Sequence, residues 1–133
     1  MIEEISISTT ERAQFKDITA AVQEAVDKSK LMSGVCYVFV KHTTAGITIN
    51  ENADPAVRED IIRKLEDIVP PDAGYQHSEG NSDSHIKASL MGFSIALPIE
   101  AGELVLGEWQ GIYLCEFDGP RERSVLVKLI QST

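Results

Sequence analysis

From Phe93 onward the chain reads as strands and nothing else: Phe93–Leu97, Leu104–Leu106, Gly111–Phe117 and Ser124–Gln131. Between them fall turn-forming segments, Glu100-Ala101-Gly102-Glu103 and Asp118-Gly119-Pro120-Arg121. Consecutive strands with no helices between them cannot make parallel crossovers, so they must pair mostly antiparallel. This constrains the fold more than any other feature of the sequence. The N-terminal part adds a strand over residues 2–8, with Ile5 and Ile7 on one face, and another over 46–51, with Ile47 and Ile49. Residues 35–40, Val-Cys-Tyr-Val-Phe-Val, are apolar at every position. Six such residues are too few for a typical helix and fit a strand covered on both faces.

Three helices interrupt this pattern. Asp17 is placed to cap the first, which carries Ile18, Val22, Ala25 and Val26 on one face. Asp54 and Pro55 open the second, with Val57, Ile61, Leu65 and Ile68 as its apolar stripe, and Pro70-Pro71 stop it. The third is short, about Ser84 to Met91, with Ser82 or Asp83 as cap and Gly92 as terminator. The order β-α-β-β-α-α-β-β-β-β indicates an α+β fold of about seven mostly antiparallel strands. Three helices cannot cover seven strands as one open sheet. A β-sandwich with outer helices, or a sheet face buried by other subunits, is expected.

At 133 residues the chain is the size of one domain. With 43% apolar and 25% charged residues, disorder is excluded. The net charge of −9 argues against nonspecific nucleic-acid binding, which runs on exposed Lys and Arg. Cys36 and Cys115 lie in apolar runs with no Cys-x-x-Cys pairing, so both read as buried thiols. Residues 1–20 lack the apolar core of a signal peptide, and no stretch is long enough to span a bilayer. A cytoplasmic location without membrane partners is the expectation.

Chemistry concentrates in a few places. All three histidines sit in polar stretches: His42 beside Thr43-Thr44-Ala45-Gly46, and His77 and His85 at the two ends of Ser78-Glu79-Gly80-Asn81-Ser82-Asp83-Ser84. If His42, His77 and His85 converge, they offer three nitrogens to a divalent metal, and zinc accepts that set. Asp83, Glu79 and Glu51 are then available to fix the imidazole tautomers. The metal-free alternative uses one histidine as general acid or base and the others as donors to an anion. The segment from Asn81 to His85 opens a helix, where free N–H groups and the helix dipole favour a phosphate or carboxylate. Ser82 and Ser84 add hydroxyls there, and Lys87 lies one turn on. Arg121, after the Asp118-Gly119-Pro120 turn, is a candidate bidentate clamp. Trp109 offers a face for a flat heterocycle, and Gln110 an amide edge.

These strings carry a resemblance. His42 to Glu51, His77 to Ser89, and Trp109 to Tyr113 with Glu116 to Arg121 resemble, in order, the YjbQ-like family, also called secondary thiamine-phosphate synthase. The likeness covers nearly the whole chain as one domain, residues 1–133; Glu108 departs from it, where a small or hydroxyl residue is expected. The resemblance implies a seven-stranded sandwich, assembly as a homotrimer, and a modest activity joining an aminopyrimidine pyrophosphate to a thiazole phosphate. In that chemistry His42, Asp83, His85 and Arg121 are the candidate catalytic residues. Glu51, Glu79, Asn81, Ser82, Ser84, Lys87, Trp109 and Gln110 are candidates to hold a phosphorylated metabolite. A magnesium ion on the pyrophosphate would favour Asp83, Glu51 or Glu79 over the histidines. A non-catalytic metal- or phosphate-metabolite-binding protein using the same pocket is the alternative.

Overall fold

The computed structural model describes residues 2–132. Its elements are β1 (Ile2–Ser8), β2 (Gln14–Asp17), α1 (Thr19–Ser29), β3 (Ser33–Val40), β4 (Ala45–Glu51), α2 (Pro55–Ile68), α3 (Ser82–Met91), β5 (Ser94–Glu100), β6 (Glu103–Leu104), β7 (Gln110–Glu116) and β8 (Glu122–Gln131). Eight strands form two antiparallel sheets, one ordered β1-β8-β3-β5-β6 and the other β2-β7-β4. This is the α+β sandwich with three helices that the strand pattern demands, with one more strand than expected. The additional strand is β2. Its four residues, Gln-Phe-Lys-Asp, carry one apolar side chain and leave no readable period. Among the described residues no helix is long and apolar enough to cross a membrane.

The two sheets enclose the main core. Cys36, Val38 and Val40 of β3 with Val125 and Val127 of β8 face Ile47 of β4 and Ile112 and Leu114 of β7, while α1 closes the layer with Val22 and Val26. The opposite face of the three-stranded sheet forms a second core: Phe15, Tyr113, Cys115 and Phe117 pack against Leu65 of α2 and Ala88 of α3. The strand dry on both faces is therefore β7, buried from Gly111 to Glu116.

The all-apolar run 35–40 behaves differently. In β3 burial alternates, and Val35, Tyr37 and Phe39 remain 38–40% exposed on the outer face of the larger sheet. No helix packs there, because α2 and α3 both lie over the smaller sheet. Ile68 is likewise exposed, and Val69 takes the buried position at the end of α2. Its start is as expected, with Asp54 Oδ1 accepting from the Ala56 N–H at 2.9 Å. Asp17 Oδ1 accepts from the Thr19 N–H at 2.9 Å and its hydroxyl at 2.6 Å, supporting the first turn of α1 from one residue before its cap position.

The last helix begins two residues earlier than expected, with Asn81 at the cap position in place of Ser82 or Asp83. Asp83 and Ser84 are instead fully buried inside it. Gly46 of β4 lets α3 come close: a Cβ there would stand 2.7 Å from the Gly92 carbonyl oxygen. That approach brings the last turn of α3, Ala88 to Gly92, against the start of β4.

Candidate functional site

The pairing that builds the smaller sheet also builds a pocket at one end of it. Ala45 lies opposite Glu116, so the residues just before β4 meet those just after β7. The Phe117 N–H donates to the Thr44 carbonyl at 3.2 Å, and the Lys41 N–H to the Ser124 carbonyl at 3.3 Å. Helix α3 joins them: Ser84 Oγ donates to the Phe117 carbonyl at 2.5 Å, and Asn81 Nδ2 to Asp118 Oδ2 at 2.9 Å. Between these segments opens a cavity of about 360 Å³. Lys41, His42, Thr43 and Thr44 form one wall, Arg121 and Arg123 a second, and Glu79, Asn81 and His85 a third.

A buried ion pair holds the floor. Arg123 and Glu116 are 3% and 0% exposed. Arg123 Nε donates to Glu116 Oε1 at 2.8 Å, and its Nη2 to Glu116 Oε2 and, at 2.8 Å, to Thr44 Oγ1. Glu116 also accepts from Thr9 Oγ1 at 2.7 Å and from the N–H groups of Phe117 and Asp118 at 3.1 and 3.0 Å. Burial alone would raise the Glu116 pKa; the bonds from Arg123, Thr9 and the Asp118 backbone outweigh it and hold the carboxyl below its usual value. Arg123 Nη1 takes no part in these bonds. Arg121, half exposed, is aimed by Asp118, with Nε donating to the carbonyl at 2.9 Å and Nη2 to Oδ2 at 2.8 Å.

His42 has a defined tautomer. Its Nε2 accepts the Ser124 N–H at 2.7 Å, so in the neutral ring the proton sits on Nδ1. Burial lowers the His42 pKa, and Arg123, Arg121 and Lys41 lower it further against the opposing pull of Glu116. The ring is thus a neutral Nδ1–H donor at a cationic wall. His77 and His85 meet edge to face with centroids 5.5 Å apart, and His77 Nε2 lies 3.9 Å from Glu79.

The three histidines do gather around one end of the molecule, but they do not form the expected zinc set. The Nε2 lone pair of His42 is already used. Among the described residues no three His, Cys, Asp or Glu side chains are arranged to hold a metal ion. Of the carboxylates expected to favour magnesium, only Glu79 lines the cavity. The donors present suit an anion.

Of the residues singled out from sequence, His42, Glu79, Asn81, His85 and Arg121 line the cavity, and His77 stands behind His85. Others go elsewhere. Asp83 turns inward, where Arg12 bonds both its oxygens at 3.0 and 3.2 Å and Lys87 Nζ reaches Oδ2 at 2.9 Å. Burial would raise its pKa, but those cationic partners lower it, so it is a structural anion and no proton carrier. Lys87 is spent on Asp83 and, at 2.6 Å, on Glu66. Ser84 ties α3 to Phe117, and Ser82 does not line the cavity. Glu51, Trp109 and Gln110 lie at the far end of β4 and β7, six or more strand positions and about 20 Å from the Ala45–Glu116 pair. Gln110 there accepts the Gly107 N–H at 2.7 Å, and the Glu51 carbonyl accepts the Tyr113 hydroxyl at 3.2 Å. Lys41, Thr43, Thr44 and Arg123 were missed. A signal for Arg123 did exist: it falls in step with Val125 and Val127 on the inward face of β8.

A larger cavity of about 750 Å³ lies between β2 and α2, but Arg12, Lys16, Arg58 and Arg63 are matched there by Glu11, Asp17, Glu59 and Glu66. It has no excess charge to select a ligand.

Residues 3–132 match the model of the family described as UPF0047 protein YjbQ-like. A UPF0047 protein of Methanocaldococcus jannaschii is 48% identical over 98% of this chain and 94% of its own length. UPF0047 protein YugU of Bacillus subtilis is 44% identical over 98% and 99%. Among solved structures, a YjbQ/UPF0047 family protein from Clostridium acetobutylicum superposes with a TM-score of 0.94 at 56% identity, covering 96% of this chain and 99% of the other. A YbjQ-like protein from Sulfolobus solfataricus gives 0.94 at 35% identity, covering 99% and 97%. The sequence match and the shared fold together make this chain a member of the YjbQ-like UPF0047 family.

Proposed function

We propose that the cavity binds the phosphate groups of a small metabolite and that the protein is a pyrophosphate-releasing transferase of the thiamine-phosphate synthase type. One observation carries this reading: His42, Arg121, Arg123 and Lys41, whose Nζ lies 3.8 Å from Glu4, line one cavity with Glu79 as its acidic lining residue, in a chain whose net charge is −9. A local cationic pocket on an acidic protein is built for an anion. When an aminopyrimidine leaves its pyrophosphate, negative charge grows on the departing oxygens. Fixed donors aimed at that charge stabilise it without reorganising. Arg121 is held in a fixed pose by Asp118, and Arg123 by Glu116. His85 supplies the imidazole free to pass a proton, since His42 is committed to Ser124.

The reading includes self-association. Val35, Tyr37 and Phe39 stand beside Pro98 and Ala96 of β5 and Leu126 and Ile130 of β8 on the uncovered face of the larger sheet. A contiguous apolar face of this kind favours burial against other copies, in keeping with the trimer that the family resemblance implies.

Turnover tests the enzyme reading. Purified protein supplied with the aminopyrimidine pyrophosphate and the thiazole phosphate should release pyrophosphate. His85→Ala should cut that rate by about 10²-fold or more, the usual worth of a positioned acid or base, while the melting temperature holds. If wild-type protein binds pyrophosphate saturably yet yields no product, the pocket is a binding site and the transferase reading fails.

A further inference from the structure

The segment between β1 and β2, Thr9 to Ala13, lines none of the cationic cavity, yet it is bonded to two of its walls. Thr9 holds the arginine wall. Its N–H donates to the Arg121 carbonyl at 2.9 Å, and its Oγ1 accepts the Arg121 N–H at 2.9 Å and donates to Glu116 Oε1 at 2.7 Å. The Arg12 carbonyl accepts the Gly119 N–H at 3.1 Å, and only a glycine admits the segment there, since a Cβ would collide with the Glu11 carbonyl oxygen. The Arg12 side chain reaches the other way, to helix α3. Its Nη1 and Nη2 donate to the two oxygens of Asp83 at 3.2 and 3.0 Å. Asp83 stands in the first turn of α3, between Asn81 and His85 of the third wall. The segment is itself pinned, with Gln14 Oε1 accepting the Thr10 N–H at 2.9 Å and Lys16 Nζ donating to the Ser8 carbonyl at 2.5 Å.

We infer that Arg12 is a positioning residue that, through Asp83, sets the placement of His85 against Arg121. The inference rests on the anion-binding reading above and adds the part of the fold that tunes it. Two other bonds tie α3 to the segment after β7: Asn81 Nδ2 to Asp118 Oδ2 at 2.9 Å and Ser84 Oγ to the Phe117 carbonyl at 2.5 Å. Each is a single bond, which fixes a distance and leaves the helix free to tilt. The Arg12–Asp83 pair is bidentate, so it fixes orientation as well. Lys87 cannot replace it. Its Nζ lies 2.9 Å from Asp83, but as a point charge on the next turn of the same helix, and its other bond, to Glu66, ties α3 to α2 and not to the arginine wall. A pyrophosphate that touches both His85 and Arg121 feels their spacing. A single phosphate held by Arg121 and Arg123 does not.

Calorimetric titration of the intact protein with pyrophosphate and with inorganic phosphate reads that spacing. Arg12→Ala should weaken pyrophosphate about tenfold and shift inorganic phosphate by less than about twofold. Lys87 still neutralises Asp83 in this variant, so the fold should persist, which circular dichroism checks. Arg12→Lys keeps the charge and loses the fork, and it should show the same selective loss in a chain whose buried carboxylate retains both cations. A double-mutant cycle separates positioning from plain stability: in a His85→Ala background, Arg12→Ala should cost pyrophosphate less than about twofold, because the group it places is gone. Equal losses for the two anions, or no loss for either, would overturn the positioning role. So would full pyrophosphate affinity in Arg12→Lys, which would make charge and not geometry the cause, or an undiminished loss in the His85→Ala background. A flat titration of wild-type protein with both anions would remove the anion reading itself.

Discussion

Glu116→Gln separates the two roles of the buried pair. The carboxylate now receives two bonds from Arg123, one from Thr9 and two from backbone N–H groups. A glutamine amide has one acceptor oxygen. If that oxygen keeps the backbone donors, the NH₂ group faces Arg123 Nε donor to donor. Arg123, 3% exposed, is then a buried cation without its counter-charge. Breaking one partner of such a pair costs about 3–5 kcal/mol. At roughly 3 °C per kcal/mol for a chain of this size, the melting temperature should drop by about 10–15 °C. Removing a negative charge from beneath a cationic cavity has the opposite effect on ligands, so pyrophosphate should bind a few-fold more tightly at low ionic strength, with the gain shrinking as salt rises. Differential scanning calorimetry at fixed protomer concentration measures the first effect, and pyrophosphate titration the second. The double variant Glu116→Gln/Arg123→Met should recover part of the lost stability, because no bare charge is left inside. A loss under about 1 kcal/mol in the single variant, or no recovery in the double, would refute the view that this ion pair holds the pocket floor.

The same groups set the response to acid. His42, Asp83 and Glu116 all have pKa values lowered in the fold, so the unfolded chain binds protons first and stability must fall as pH falls. The decline should begin below the usual histidine value of 6.5 through His42, and steepen below 4.5 as Glu116 and then Asp83 are drawn in. Urea midpoints across this range give the curve, and His42→Gln should diminish the upper limb; an unchanged upper limb would show that His42 is not its source. Separately, Tyr37→Lys places a charge on the uncovered sheet face beside Lys128. It should reduce the mass seen by light scattering with little change in monomer secondary structure, and an unaltered mass would move self-association to another surface.

How far the sequence could be read follows from what decides each feature. Period-two patterns identified β1 and β4, with Ile5 and Ile7 on one face of the first and Ile47 and Ile49 on one face of the second. In β3 the same logic failed: six consecutive apolar residues suggested cover on both sides, yet the outer side is bare within one chain. The proposed self-association accounts for the hydrophobicity at Val35, Tyr37 and Phe39, which are 38–40% exposed in the single chain. Strand β7 reads in much the same way along the sequence, and there both faces are dry because α2 and α3 lie over the second. Pattern alone cannot separate a face covered by a helix of the same chain from one left for another molecule.

The site shows a similar split, for a different reason. The polar strings around His42, His85 and Arg121 do meet at one corner of the molecule, since residues near strand and helix ends converge when the strands pair. The chemistry assigned to them depended on bonds the sequence does not show. Asp83 looks like a cap followed one turn later by Lys87, whereas Arg12, 71 positions away, fixes it as a buried anion. The decisive case is His42. Spacing made it a zinc ligand or an anion donor with equal ease, and the choice rests on the Ser124 N–H, 82 positions away, which occupies Nε2. Since that donor belongs to the backbone of a paired strand, no substitution at Ser124 short of proline releases it. A metal could recruit His42 through Nε2 only by opening the start of β8 beside the buried Arg123. That cost favours the Nδ1–H donor role for as long as the fold is intact.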